Sequence, residues 1–271
     1  MNFKFPIFFS LLVTLLLSSS SSIKPIINSD RHETLNMIYK NCSTSMSNYF
    51  PPQTFSSLFQ ELTSHSSNTK FYTTAAGDQN MAISGRFQCQ NDLTAIACHN
   101  CVQKLSKIST SLCGQSIPAR IHLSGCYSHF ELDEPGPIEE SMVLLSKLTL
   151  QHKSCGGDGD GDGSAVGAFK AARDEAFVAA QEGTATKGYY FERSREGMRV
   201  KAQCDGSLIG GCDCGECVSR AVEVAMDECG DSFSGEVYLD GCYFIYLYDN
   251  SGFSGEYSRK IFIFSRYIQI D

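Results

Sequence analysis

Residues 89–126, CQNDLTAIACHNCVQKLSKISTSLCGQSIPARIHLSGC, space five cysteines as Cys89-x8-Cys98-x2-Cys101-x11-Cys113-x12-Cys126. Residues 204–242, CDGSLIGGCDCGECVSRAVEVAMDECGDSFSGEVYLDGC, repeat them as Cys204-x9-Cys214-x2-Cys217-x11-Cys229-x12-Cys242. One more cysteine precedes each run, Cys42 and Cys155, so each copy holds six framework positions. The flanks repeat too: Gln88-Cys89 with Gln203-Cys204, Cys101-Val102 with Cys217-Val218, and Leu123-Ser124-Gly125-Cys126-Tyr127 with Leu239-Asp240-Gly241-Cys242-Tyr243. Self-similarity of this kind means two copies of one module. The chain has 13 cysteines, and Cys212 in Gly210-Gly211-Cys212-Asp213-Cys214 is the odd one out. The extra residue between Cys204 and Cys214 reads as a local insertion.

Apolar residues at helical spacing follow each Cys-x2-Cys, predicting helices over Val102–Leu112 and Val218–Met226. Further helices are expected over Phe55–Leu62 and Gly167–Gln181. Stretches rich in Ile, Val, Tyr and Phe read as strands over Arg120–Phe130 and Glu236–Tyr248, joined by Phe71–Thr74, Ala82–Gln90, Tyr189–Glu192 and Gly197–Gln203. The sum is α+β, two tandem disulfide-stapled domains, each an antiparallel sheet with two helices packed on one face.

Lys4, the apolar stretch Phe5–Leu17 and the serine run Ser18–Ser22 make a signal peptide over residues 1–22. The stretch is shorter than the roughly 20 residues of a spanning helix. Cysteines in a secreted chain pair with one another, which argues against a cytosolic metal site. The formal net charge is −8, with no tryptophan and no Lys/Arg run, so nucleic acid is not expected as a partner.

Two such modules behind a signal segment resemble the plant cysteine-rich secretory repeat family. Its ginkbilobin-homologous domain also occurs in ectodomains of cysteine-rich receptor-like kinases and in plasmodesmata-located proteins. The match runs from Asn28 to Asp249, and Ser234-Gly235-Glu236-Val237-Tyr238-Leu239 is similar to the plasmodesmata-located group. The domains implied are 28–134 and 148–250, with a linker over 135–147 and a tail over 251–271. Spacing alone leaves 15 pairings for six cysteines. The resemblance implies Cys42–Cys113, Cys89–Cys98 and Cys101–Cys126, then Cys155–Cys229, Cys204–Cys214 and Cys217–Cys242, with Cys212 unpaired.

Ginkbilobin-like domains bind mannose through an Asn after the first cysteine, an Arg before the last and a Glu after it. In the first copy Arg120 and Glu131 occupy the matching positions, and Ser43 stands in place of the Asn. The second copy has Gly156, Glu236 and Leu247 there and matches none. The structural alternative for Arg120 and Glu131 is a solvent-exposed cross-strand ion pair. Asn41-Cys42-Ser43 is a glycosylation sequon. The run Asp158-Gly159-Asp160-Gly161-Asp162-Gly163 starts like a calcium loop, but its twelfth position is Phe169 where a bidentate Glu is needed, so it reads as an acidic loop with Ser164 as a helix cap. No metal site and no cofactor are therefore expected. His99, between Cys98 and Cys101, is expected beside disulfides rather than a metal.

Six scattered histidines and no phosphate loop make an enzyme the outside reading. The expected function is a non-catalytic secreted or cell-surface binding protein. Its tandem modules would associate with extracellular proteins, receptor ectodomains or a second copy, in plasmodesmal traffic or defence signalling. The alternative is a mannose-binding antifungal effector acting through the first domain. After Gly255 the apolar run Ile261-Phe262-Ile263-Phe264 is too short to span a bilayer. The expectation is release into the apoplast, or, if this is a truncated form, attachment at the plasmodesmal membrane.

Overall fold

The computed structural model describes residues 35–43, 51–78, 82–133, 145–158, 163–208 and 211–249. The expected signal segment, the acidic run over 159–162, the C-terminal tail and the side chains of Ser164 and Cys212 lie outside that description.

The first domain comprises β1 (Met37–Cys42), α1 (Pro52–His65), β2 (Phe71–Gly77), β3 (Ala82–Cys89), α2 (Ala95–Cys113), β4 (Ala119–Leu123) and β5 (Cys126–Leu132). The second comprises β6 (Leu150–Asp158), α3 (Gly163–Lys187), β7 (Tyr190–Arg195), β8 (Met198–Cys204), α4 (Gly211–Cys229), β9 (Ser232–Leu239) and β10 (Cys242–Tyr248). Strand order is β1-β4-β5-β3-β2 in one sheet and β6-β9-β10-β8-β7 in the other, so the sequence repeat is a repeat of topology, position for position. All neighbouring strands run antiparallel.

Two expected strands are hairpins. Arg120–Phe130 divides into β4 and β5 at Ser124-Gly125, and Glu236–Tyr248 into β9 and β10 at Asp240-Gly241. A Cβ on Gly241 would lie 2.8 Å from the Cβ of Lys147, so the second turn needs a residue without one. The β7–β8 hairpin closes on Glu196 and Gly197, with φ of 51° and 78°, the left-handed pair of a two-residue turn. Edge strands β1 and β6, MIYKNC and LQHKSCGGD, carry no strand signal in the sequence, because they lack the apolar runs of inner strands.

Period two explains the sheet faces. On β3, Ile83, Phe87 and Cys89 point to the helices and are fully buried, packed with Leu58, Leu62, Val102 and Leu105. On β8 and β10, Val200, Ala202, Phe244 and Tyr246 do the same against Phe169, Phe177, Val218 and Ala221. Helix α2 starts earlier than the apolar spacing indicated, at Ala95, because Thr94 caps it: the Ala97 N–H donates to Thr94 Oγ1 at 3.1 Å.

Each second helix is stapled to its sheet three times. The bridges are Cys42–Cys113, Cys89–Cys98 and Cys101–Cys126 in the first domain. In the second they are Cys155–Cys229, Cys204–Cys214 and Cys217–Cys242. In each domain the long bridge, across 71 and 74 residues, removes most chain entropy, about 4 kcal/mol in the loop-closure model.

Candidate functional site: the junction between the domains

The helices cover one face of each sheet, and the alternate residues of the inner strands point the other way. Those opposite faces meet. Arg86 and Gln88 on β3, Arg120 and His122 on β4 and Tyr127 on β5 are buried, as are Gln203 on β8, Tyr238 on β9 and Tyr243 on β10. Repeated residues make contacts related by an approximate twofold. The Asn91 N–H donates to Gln203 Oε1 at 2.9 Å, and the Gly206 N–H donates to Gln88 Oε1 at 3.0 Å. Gln203 also donates to the Cys89 carbonyl at 2.9 Å. Around the same axis Tyr39 stacks on His152 with ring centroids 5.2 Å apart, and His122 meets Tyr238 edge-on at 4.7 Å.

Charges break the symmetry. The first domain brings two arginines, and the second answers with carboxylates from its loops. Arg120 donates from Nη1 to Asp240 Oδ1 and from Nη2 to the Asp240 carbonyl at 2.9 Å, with its guanidinium 4.2 Å from the Tyr127 ring centroid. Arg86 Nε lies 3.3 Å from Asp205 Oδ2, and its Nη2 lies 3.6 Å from Asp240 Oδ2. The Tyr127 hydroxyl donates to Asp205 Oδ2. Lys147, just before β6, closes the set on Asp240 Oδ2 at 3.0 Å.

Burial alone would raise both carboxyl pKa values. Arg120, Lys147 and Arg86 more than offset it at Asp240 and hold that group well below the ordinary carboxylate range. Arg86, Lys147 and the bonds from Tyr127 and the Ser207 N–H lower Asp205 in the same way. Burial pushes the Tyr39 hydroxyl up to about 12, so it stays protonated. A narrow cleft runs along this junction. Arg120, Tyr127, Gln203 and Asp205 line it, the same side chains that tie the domains together.

The residues singled out in sequence separate here. The exposed cross-strand pair of Arg120 with Glu131 is corrected: β-pairing sets Arg120 opposite His129 and Glu131 opposite Ser84. Glu131 takes its bond from Arg86 Nη1 at 2.8 Å instead, while Arg120 is buried against Asp240. A sugar reaching Arg120 would have to displace that carboxylate. Ser43 donates its N–H to the Pro118 carbonyl at 2.9 Å, extending the β1–β4 ladder. Asn41 is exposed on β1 and donates from Nδ2 to Gln151 Oε1 across the junction at 3.4 Å. His99 Nδ1 sits 3.0 Å from Ser66 Oγ, beside cysteines that are bridged. Among the described residues no cluster of His, Cys, Asp and Glu could hold a metal, and no helix is long and apolar enough to cross a membrane.

Arg86, Asp205, Asp240 and Lys147 were missed. One signal was available: Asp240 replaces the Ser124 of the matching turn.

A family model described as salt stress response/antifungal matches residues 41–133. Plasmodesmata-located protein 2 of Arabidopsis thaliana is 34% identical over 232 residues, covering 84% of this chain and 71% of its own length. Plasmodesmata-located protein 4 of the same plant is 34% identical over 252 residues, covering 84% and 78%. The crystal structure of the tandem DUF26 ectodomain of the Arabidopsis thaliana cysteine-rich receptor-like protein PDLP8 superposes with a TM-score of 0.66 at 26% identity, over 79% of this chain and 98% of that one. The corresponding PDLP5 ectodomain, at 21% identity and a TM-score of 0.65, shares the fold.

Proposed function

The chain belongs to the plasmodesmata-located protein family, and from that premise we propose that it is a non-catalytic extracellular module for protein association, acting in cell-to-cell traffic at plasmodesmata. One observation carries the reading. Buried Arg86, Arg120 and Asp205, with the partly buried Asp240, hold one domain against the other. What a fixed pair of domains offers a partner is therefore its outer surface, with its relative geometry set. Receptor ectodomains or a second copy of the chain are the partners that suit such a unit.

The test is chemical cross-linking of a tagged, secreted chain in plant tissue, followed by mass spectrometry, with a glycan array in parallel. Adducts with membrane-protein ectodomains or with the chain itself at wall channels are expected, and no mannose binding. A chain that stays monomeric and uncross-linked would overturn the proposal, as would mannose binding abolished by Arg120→Ala.

A further inference from the structure

We infer that the domain junction is an acid-sensitive hinge: protonation of His129, held between Arg86 and Arg120, drives the two domains apart while each stays folded.

The geometry comes from strand register. His129 on β5 lies opposite Arg86 on β3 and, on its other side, opposite Arg120 on β4. Neighbouring strands are about 4.8 Å apart, so a basic side chain, an imidazole and a second basic side chain stand in a row about 10 Å long. Tyr127 and Glu131 flank His129 two residues away on its own strand. From the second domain this row meets Asp240 in the β9–β10 turn, Asp205 after β8 and Lys147 before β6. With His129 neutral, three cations (Arg86, Arg120, Lys147) face three anions (Asp205, Asp240, Glu131). A proton on the imidazole adds a fourth positive charge to a balanced set. His129 is partly buried, and its Nδ1 is shut from solvent with no hydrogen-bond partner among the described residues, so a proton at that nitrogen meets no acceptor.

Burial, then Arg86, Arg120 and Lys147, hold the imidazole well below its ordinary value, with Asp240 the opposing influence. The sign follows. The closed junction prefers neutral His129, so its contribution is complete above about pH 6.5, the value of a free histidine, and falls as the pH drops through the depressed one. Asp205 and Asp240 stay ionised over that window, because their own pKa values lie below the usual carboxylate range. Two further histidines border the junction. His122 packs against Tyr39, Tyr127 and Tyr238, and His152 against Tyr39, with Glu236 nearby. Neither stands in the arginine row. At the place of His129 the second domain has Ile245, paired with Lys201 and Glu236, so the fold itself does not require an imidazole there.

The experiment is small-angle X-ray scattering of the secreted, disulfide-intact chain from about pH 7.5 to about pH 3.5, with far-UV circular dichroism alongside. The radius of gyration is expected to rise reversibly, with a midpoint well below about 6.5 and unchanged circular dichroism. His129→Ile should shift that midpoint down by at least about one pH unit or abolish the opening, while His122→Gln and His152→Gln leave it within about 0.3. If His129→Ile is not secreted, His129→Gln serves as the neutral replacement. A wild-type chain that stays compact to the lower limit overturns the inference. So does a His129 variant that opens with the wild type, or an opening that coincides with loss of secondary structure.

Discussion

The β4–β5 and β9–β10 hairpins share topology, register and a bridge from the last cysteine to the second helix, yet at the junction they carry opposite chemistry. Arg120 and Ser124 in the first correspond to Glu236 and Asp240 in the second, and His129 to Ile245. The wider domains differ in the same sense. Residues 35–133 hold 6 Lys/Arg and 5 Asp/Glu, whereas residues 145–249 hold 10 and 18. Residues common to both copies build the fold, and residues that differ decide how the copies meet. Two first-type faces would set arginines against arginines, so the charge division favours pairing of unlike domains.

That comparison can be broken at several depths. The largest effect is expected where the copies are alike. Cys101→Ala or Cys217→Ala, each with its partner also replaced, should cost about 2–5 kcal/mol, by a similar amount in either domain, measured by thermal unfolding of the otherwise disulfide-intact chain. Strongly unequal losses would show that the copies do not share one stabilising plan. Next comes the position where they differ. Asp240→Ala leaves Arg120 and Lys147 buried without their carboxylate and, Asp240 itself being only partly buried, should cost about 2–3 kcal/mol in chemical denaturation. Ser124→Ala, at the matching turn, should stay within about 0.5 kcal/mol.

The repeat was legible because cysteine spacing survives where other residues drift, and the helices were legible because one apolar stripe faces the sheet. Arg120 was harder to place. Period two sets Arg120 and His122 on the face away from the helices, and in a lone domain that face meets water. A tandem copy covers it, and nothing local in ARIHL distinguishes a solvent-facing arginine from one that will meet Asp240 120 residues later. β1 and β6 escaped for a related reason. An edge strand pairs on one side only and needs few apolar residues to hold its place.

Smaller effects test finer parts of the comparison. Tyr246→Phe removes a hydroxyl that donates to the Cys229 carbonyl at 2.7 Å, and should lower stability by about 1 kcal/mol. Phe130 occupies the matching place in the first domain with no such bond to lose, so the second copy alone gains from its tyrosine. Lys201, the counterpart of Arg86, pairs with the more exposed Asp92 at 2.7 Å, and Lys201→Ala should cost no more than about 1 kcal/mol. A larger loss would mean that both charged halves of the junction matter equally.

The most direct test of the polar junction is a double-mutant cycle on Arg120→Met and Asp240→Asn, followed by guanidinium unfolding near neutral pH. Two groups joined across a buried domain contact should show a coupling energy of at least about 1.5 kcal/mol. A coupling below about 0.5 kcal/mol would mean the two substitutions act independently, and would contradict the account of one fixed unit held by unlike charges.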